Sequence, residues 1–308
     1  MKIDPQHSIV PIDKTSKTKT VRPTETPAKV EVKNTVRPER HKKARGALLR
    51  WFAQIGIQPN DDTLDVVALA KQTSRREHIL ASNKLRNLQR ILDIAMEVNI
   101  DSEPSEQVDP DWFFTFSRLA EDIHSPAMQS LWGKIAAVEI TQPGSFSLRT
   151  LHLLTQITQR DAKIFNKAAS LACRRKQEST PRLLVGYYQR ASFLNWLRPS
   201  QQTHLNLAQF GLTYPDILSL IDMGLIFASE IETGELDTER REYWRCGDNR
   251  FEIAPRKRGT ALVYYKFTSV GSELYRLASR HPKPTYLDAL LSLLGNAFEV
   301  VSHHASDN

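Results

Sequence analysis

The sequence predicts a mainly α-helical protein with a smaller α+β part, in which helices fill the N-terminal half of the 308-residue chain. Two observations support this fold class. Up to about Lys176, apolar residues recur at three- and four-residue steps, which is typical of amphipathic helices. After Lys176, short runs rich in β-branched and aromatic residues stand between further helix signals, which indicates strands.

Residues 1–40 are predicted to form a disordered basic tail. Five prolines and few large apolar side chains leave this segment without enough apolar surface to offset the entropy lost on ordering. Residues 1–45 hold twelve Lys and Arg against five Asp and Glu, whereas the rest of the chain holds 30 charges of each sign. Residues 1–45 therefore account for the whole net charge of +7, and the rest of the chain is formally neutral.

Residues 41–108 are predicted to be a helical region. A short amphipathic helix covers 47–55 and ends at Gly56, and residues 61–99 form one long helix or two joined ones. The middle of that long segment lacks large apolar residues, so this part is expected to project or to pair with a second copy. Residues 102–108 form an acidic, polar linker.

Residues 109–176 carry the densest helix signals and are predicted to be a helical domain. Asp109 is a good N-cap, and Pro110 suits the first helical position. Ser125 and Pro126 repeat the start signal, Pro143-Gly144 ends the second helix, and a third begins near Leu148. The predicted buried stripes are Phe113, Phe116, Leu119, Ala120 and Ile123 on the first helix, and Met128, Leu131, Trp132, Ile135 and Ala136 on the second.

The same segment contains the sequence words DW, AEDI, MQSLWGKI and PGSFSLRTLHLL. As a set they resemble the signature of a family of uncharacterised, mostly proteobacterial proteins with a domain of unknown function. The resemblance is strongest over residues 109–165 and extends to FTSVGSELYRLA at 267–278. It implies family membership and a bacterial, cytoplasmic setting, and it brings no activity or catalytic residues. Trp112, Trp132 and Gly133 in these words look like packing residues.

Residues 177–282 are predicted to be a winged-helix-like α+β domain. Strand-like runs cover 183–188 and 261–267, and residues 242–253 alternate well enough to supply another strand. Between them, residues 213–226 read as a compact helix, and a further helix follows the last strand. The order helix, strand, long hairpin, strand, helix is that of many winged-helix domains. The remainder of the chain is expected to form a C-terminal helix and a disordered end.

Charge in the C-terminal half falls into blocks. Residues 160–198 hold nine basic and two acidic side chains, residues 199–239 hold seven acidic and none basic, and residues 240–283 hold eleven basic and four acidic. Adjacent blocks either neutralise one another in the fold or leave a basic surface exposed. In the second case, side chains at the tip of the predicted hairpin contact a phosphate backbone without reading bases. The candidate nucleic-acid-binding residues are Arg250, Arg256, Lys257, Arg258 and Lys266.

No motif in the sequence names a reaction, a cofactor or a metal. The nine histidines are scattered without HExxH spacing, His303 is expected in an unstructured end, and no Walker loop, GxGxxG or GxSxG is present. Cys173 and Cys246 are far apart and in no CxxC pair, so neither a disulfide framework nor a zinc site is expected. The sequence therefore predicts no catalytic, cofactor-binding or metal-binding residues.

Two classes of function remain open. The first is a non-enzymatic binding or regulatory protein that contacts nucleic acid through the hairpin or the basic tail. The alternative is a self-associating scaffold, or an effector in stress or phage response, that has a homo-oligomeric or protein partner and only structural charge blocks. An enzyme ranks third because no catalytic motif is present. No run of 18 apolar residues predicts a transmembrane helix, and the expected location is the cytoplasm.

Overall fold

The structure, a computed structural model, describes residues 37–58, 66–98, 108–190, 201–278 and 283–303. The chain divides into two compact units, residues 1–65 and residues 66–308, and each is described by itself. Most of the predicted basic tail, nearly all of the acidic linker and the residues after His303 lie outside the described residues.

The first unit contributes helix α1 (Arg37–Gln54). As predicted, the helical segment ends at Gly56, whose φ of 78° fits the left-handed turn that commonly follows a helix. The helix begins at Arg37 and not at Ala47, so residues 37–40, predicted as the end of the disordered tail, are helical.

The helical part of the second unit follows the start signals read from the sequence. The Asp109 carboxylate accepts a hydrogen bond from the Asp111 N–H at 2.9 Å, and the second signature helix begins at Pro126 and ends before Pro143. The long helix predicted over 61–99 is continuous where it is described. The helices are α2 (Val66–Glu97), α3 (Pro110–Ala120), α4 (Pro126–Thr141), α5 (Leu148–Gln156) and α6 (Gln159–Leu171).

Three aromatic side chains form the centre of this helical part. The rings of Trp112 and Phe116 are stacked with centroids 5.1 Å apart, and Phe116 lies 5.1 Å from the fully buried Trp132. The indole N–H of Trp112 donates to the carbonyl of Phe146 at 2.7 Å. The predicted burial of Phe113 is wrong, since this side chain is 52% exposed. Trp112 takes the inward position instead, on the same face as Phe116 and Ala120, which are buried as predicted.

Two carboxylates hold the loop between α4 and α5. Glu139 accepts hydrogen bonds from the N–H groups of Gly144 and Phe146 at 2.5 and 3.0 Å. Glu273, far along the chain, accepts from the N–H of Ser147 at 2.7 Å and caps the start of α5. The segment PGSFS forms this loop, and its backbone N–H groups donate to the two carboxylates, which fix its conformation.

The remainder of the second unit is an antiparallel sheet with helices beside it. Its described strands are β1 (Cys173–Arg175), β2 (Arg182–Gln189), β3 (Gln201–His204), β4 (Ile231–Glu232), β5 (Glu242–Cys246), β6 (Asn249–Pro255), β7 (Thr260–Lys266) and β8 (Phe298–His303). The strand order is β4-β7-β2-β1-β5-β6-β8, and β3 pairs with β2 as well. The helices of this part are α7 (Tyr214–Asp222), α8 (Ser269–Tyr275) and α9 (Pro284–Leu294).

Several elements of this part confirm their sequence signals. The strands predicted over 183–188 and 261–267 are β2 and β7. The compact helix is α7, which begins with a reciprocal capping box between Thr213 and Asp216. Thr268 caps α8 by accepting from the Gly271 N–H at 3.1 Å.

Three predictions about the strands are wrong. Residues 242–253 are not one strand but the β5–β6 hairpin, which turns at Gly247-Asp248. β6 and β7 do not pair, so residues 256–258 lie in a short connection between distant strands and not at the tip of a hairpin. His303 was expected in an unstructured end, but it lies in β8, which pairs with β6.

The sheet is strongly curled. β2 and β8 are separated by three strands in the sheet order, which in a flat sheet would place them about 19 Å apart. The ring centroids of Tyr187 on β2 and Phe298 on β8 are nevertheless only 6.1 Å apart. One hydrophobic core therefore fills the concave side of the sheet and continues from Ile91 on α2 to Phe298.

The two cysteines are joined across β1 and β5. Cys173 and Cys246 are directly opposite in the strand register, with Cα atoms 4.2 Å apart, and form a disulfide. The sequence indicated no disulfide framework, and this one bond was missed because the sheet makes neighbours of residues that are 73 positions apart. Both are buried.

Candidate functional site

A row of basic side chains crosses four neighbouring strands. Arg174 on β1 is paired with Arg245 on β5, Arg245 with Arg250 on β6, and Arg250 with His303 on β8. Directly opposite residues of antiparallel strands project from the same face of the sheet. These four side chains, here called the basic row, therefore stand side by side.

Side chains alternate between the two faces along each strand, and the basic row lies on the face that points away from the core. Cys173 and Cys246, the neighbours of Arg174 and Arg245 in the sequence, are buried on the opposite face. Phe251, which follows Arg250, is 1% exposed. Burial of these apolar side chains fixes which way the arginines point, and the disulfide keeps β1 and β5 in register.

A second row stands two residues further along the same face. It consists of Lys176, Tyr243 and Glu252, with Tyr243 paired directly to Glu252 and the Lys176 N–H donating to the Tyr243 carbonyl at 2.8 Å. Between the rows runs a groove of about 560 Å³. Trp244 and Phe251 line its floor while their side chains are buried, so the floor is mainly backbone.

The acidic groups near the groove are already paired. Asp248 accepts from the Arg245 guanidinium at 3.2 Å. Glu252 lies 3.6 Å from a nitrogen of Arg241 and 3.3 Å from Nε2 of His303. Among the described residues, Arg250 has no ion-pair or hydrogen-bond partner for its exposed side chain. The groove therefore keeps an excess of positive charge.

Aromatic rings accompany the cations. The Arg174 guanidinium lies 5.6 Å from the ring centroid of Tyr275, and the Lys176 ammonium lies 5.0 Å from that of Tyr243. Tyr243 is 43% exposed. Cations at these distances are attracted to the negative face of an aromatic ring, which holds them in place without neutralising them.

The five sequence-predicted site residues are divided between the two ends of the sheet. Arg250 belongs to the basic row. Lys266 lines a neighbouring cavity of about 400 Å³. Arg174 lines both this cavity and the groove, so the predicted residues Arg250 and Lys266 lie at the same end of the sheet. Residues 256–258 follow the far end of β6, about 20 Å along the strand from Arg250. Arg256 there donates to the Phe298 carbonyl at 3.0 Å.

The prediction missed Arg174, Lys176, Tyr243 and Arg245. A signal for two of them exists in the sequence, since EYWRC at 242–246 alternates and so places Tyr243 and Arg245 on one face. CRRK at 173–176 is one cysteine followed by three cations and shows no such alternation. Neither segment indicates that the two strands are neighbours.

Within the described ranges, no group of three or more His, Cys, Asp or Glu side chains is arranged to hold a metal ion. No helix in the part of the chain that the structure describes is both long enough and apolar enough to cross a membrane.

The fold and the groove define an α+β protein with a groove rich in Arg and Lys across an antiparallel sheet. Comparison with protein families matches residues 71–291 to DUF2806, a family described as protein of unknown function. This match covers more than half of the chain, and the chain belongs to that family. No curated protein and no solved structure matches the chain.

Proposed function

We propose that the protein is a non-enzymatic binding protein whose basic groove holds the phosphate backbone of a nucleic acid. The observation that carries this proposal is the placement of Arg174, Arg245 and Arg250 directly opposite one another on three adjacent strands. Like charges at such positions destabilise a sheet. Asp248 pairs with Arg245, and phosphates lying against the row would offset the repulsion that remains among its cations.

The chemistry of the groove supports a role in holding a backbone. Guanidinium groups are planar and present paired donors that match phosphate oxygens. Contacts of this kind set the position of a nucleic acid and carry no sequence information. Regulation through recruitment to RNA or DNA, without catalysis at the groove, is the activity that we assign.

We also propose that the winged-helix-like domain predicted over residues 177–282 is present, with α6 as the helix that precedes it. The order α6, β2, a 3-10 turn, α7, β4 and β7, together with the strand order β4-β7-β2, supports this assignment. The helix in the position of a recognition helix is α7, which carries Asp216 and Asp222 and no Lys or Arg. Its charge is unsuited to a DNA groove, so the proposed nucleic-acid contact lies on the β5–β6 hairpin inserted between β4 and β7.

The cytoplasmic setting and the contacts through the basic tail and residues 256–258 stay predictions from the sequence. The disulfide between Cys173 and Cys246 weighs against a permanently reducing compartment, because such bonds are rare in the cytosol. Residues 256–258 are exposed, which is compatible with a secondary contact for a long ligand.

The test compares two double variants of the full chain that remove the same charge. Arg245→Ala/Arg250→Ala empties the basic row, and Lys257→Ala/Arg258→Ala removes two exposed cations at the other end of β6. Binding to a fluorescent oligonucleotide is measured as salt is varied. We expect the first variant to bind more weakly and to lower the slope of log K against log salt by about 1.4, at about 0.7 for each phosphate contact on a single strand.

The control variant is expected to keep most of the wild-type affinity and slope. Equal losses in both variants would mean that total charge, and not the groove, determines binding. No affinity in the wild type at low salt would refute the proposal for the whole protein.

A second candidate function is self-association, which exposed apolar side chains on α2 favour. Leu85, Leu92 and Met96 recur along one side of that helix and are 58–68% exposed. A stripe of this spacing is typical of helices that pair. The mass of the protein in solution by light scattering decides whether it is dimeric, and that result is independent of nucleic-acid binding.

A further inference from the structure

We infer that the groove selects single-stranded nucleic acid and that Tyr243 stacks on one of its bases. This inference rests on the proposed function and adds the substrate class and a specificity-determining residue. It is carried by the position of Tyr243 opposite the basic row and by the exposure of its ring.

A single strand of nucleic acid presents both of the groups that the groove can bind. The cations of the basic row repeat from β-strand to β-strand at about 4.8 Å and face its phosphates, and the opposite wall lies two residues further along each β-strand. A duplex keeps its bases paired and stacked inside the double helix, so it offers no base face to Tyr243. The bases of a single strand are free to stack on an aromatic side chain.

The two walls differ in chemistry. The basic row offers Arg174, Arg245 and Arg250 to phosphates, whereas the opposite wall offers the ring of Tyr243 between Lys176 and Glu252. A single-stranded nucleic acid whose phosphates lie along the basic row therefore directs its bases across the groove towards the Tyr243 ring. Glu252 is held by Arg241 and His303, so it does not repel the strand as a free carboxylate would.

Tyr243 is suited to stacking. It is 43% exposed, and the alternation of β5 keeps its ring on the groove side while Trp244 enters the core. The Lys176 ammonium lies over the ring and can shift to a phosphate when a base arrives. Stacking of a base on an aromatic side chain accepts every base, so the expected preference is for single strands and not for a sequence.

The experiment uses the full chain with Tyr243→Phe and Tyr243→Leu, after thermal melts have established that both fold. The probes are labelled oligothymidylate, an abasic oligonucleotide of the same length, and a duplex of that length. Because a base stacked on an aromatic ring typically adds 5- to 100-fold in affinity, we expect Tyr243→Leu to lose roughly 10-fold on oligothymidylate. Tyr243→Phe keeps the ring and should bind as the wild type does.

The abasic probe separates stacking from charge. We expect Tyr243→Leu to bind it as tightly as the wild type does, whereas Arg245→Ala/Arg250→Ala weakens the binding of both single-stranded probes. Unchanged binding of oligothymidylate by Tyr243→Leu, or tighter wild-type binding to the duplex than to single strands, would overturn this inference and leave the phosphate-binding groove standing. If the wild type binds none of the probes, both this inference and the proposed function are refuted.

Discussion

Single residues of the signature segment account for the close packing of α2, α3 and α4. A Cβ atom at Gly133 would lie 2.6 Å from Cγ2 of Ile94, so only glycine allows α4 to lie this close to α2. The ring of Trp132, the residue before Gly133, packs against the ring of Phe116. The sequence words that indicate the family therefore contain residues of the protein interior, and they do not form the groove.

Replacement of Trp132 by alanine tests this packing role. The side chain is fully buried, and its removal is expected to leave a cavity and to lower the free energy of unfolding by about 3–5 kcal/mol. Urea denaturation measures the change. Phe114→Ala on the neighbouring helix is the control, because Phe114 is 70% exposed and its loss should be nearly neutral. A Trp132→Ala protein as stable as the wild type would contradict the burial.

Glu139 gives the stability of the protein a pH dependence. Burial raises the pKa of this carboxyl above its ordinary value, against the lowering effect of the N–H donors of Gly144 and Phe146. The folded chain therefore holds the proton more tightly than the unfolded chain does. It follows that this group's contribution to stability is greatest at low pH and declines as the pH rises from the unfolded pKa through the folded pKa.

The corresponding variant is Glu139→Gln, which does not titrate. We expect the wild type to lose stability relative to this variant as the pH is raised from below the ordinary glutamate pKa towards neutrality. Denaturant unfolding at several pH values measures the difference. Parallel curves for the two proteins would show that the pKa of Glu139 is the same in the folded and unfolded chains.

At the scale of elements, local signals predicted helices better than strands. The starts of α3, α4 and α7 depend on residues within one turn, such as Asp109 with Pro110 or Thr213 with Asp216, and these can be read directly. β5 and β6 share one alternating pattern, so the turn at Gly247-Asp248 was hidden within it. β8 forms because β6 offers it a partner, and no local pattern shows that partner.

The disulfide is the strongest tie between two elements, β1 and β5. The chain-entropy account gives a bond that closes a loop of 73 positions a stabilisation of about 4 kcal/mol. The Cys173→Ala/Cys246→Ala variant should therefore melt at a clearly lower temperature under oxidising conditions. Reductant should lower the melting temperature of the wild type and leave that of the variant unchanged. Equal melting temperatures without reductant would mean that the thiols are not joined.

At the scale of the whole molecule, the site could be predicted only in part. The net charge indicates the tail, and the basic block at 240–283 includes Arg250, which lines the proposed groove. The groove also needs residues 174–176 and His303, which are far away in the sequence and are brought together by pairing across the sheet. Such pairing depends on long-range contacts, so the alternation within each strand indicates a face but not its neighbours.

The bond between Cys173 and Cys246 also changes the connectivity of the chain. Residues 173–246 form a closed covalent ring, which the helical part enters at one cysteine and β6 to β8 leave at the other. A protease that cuts once inside the ring, for example after the exposed Arg240 between β4 and β5, opens the ring but releases neither piece. A nicked molecule would keep both strands of the β1–β5 pair attached, and only a reductant would part them.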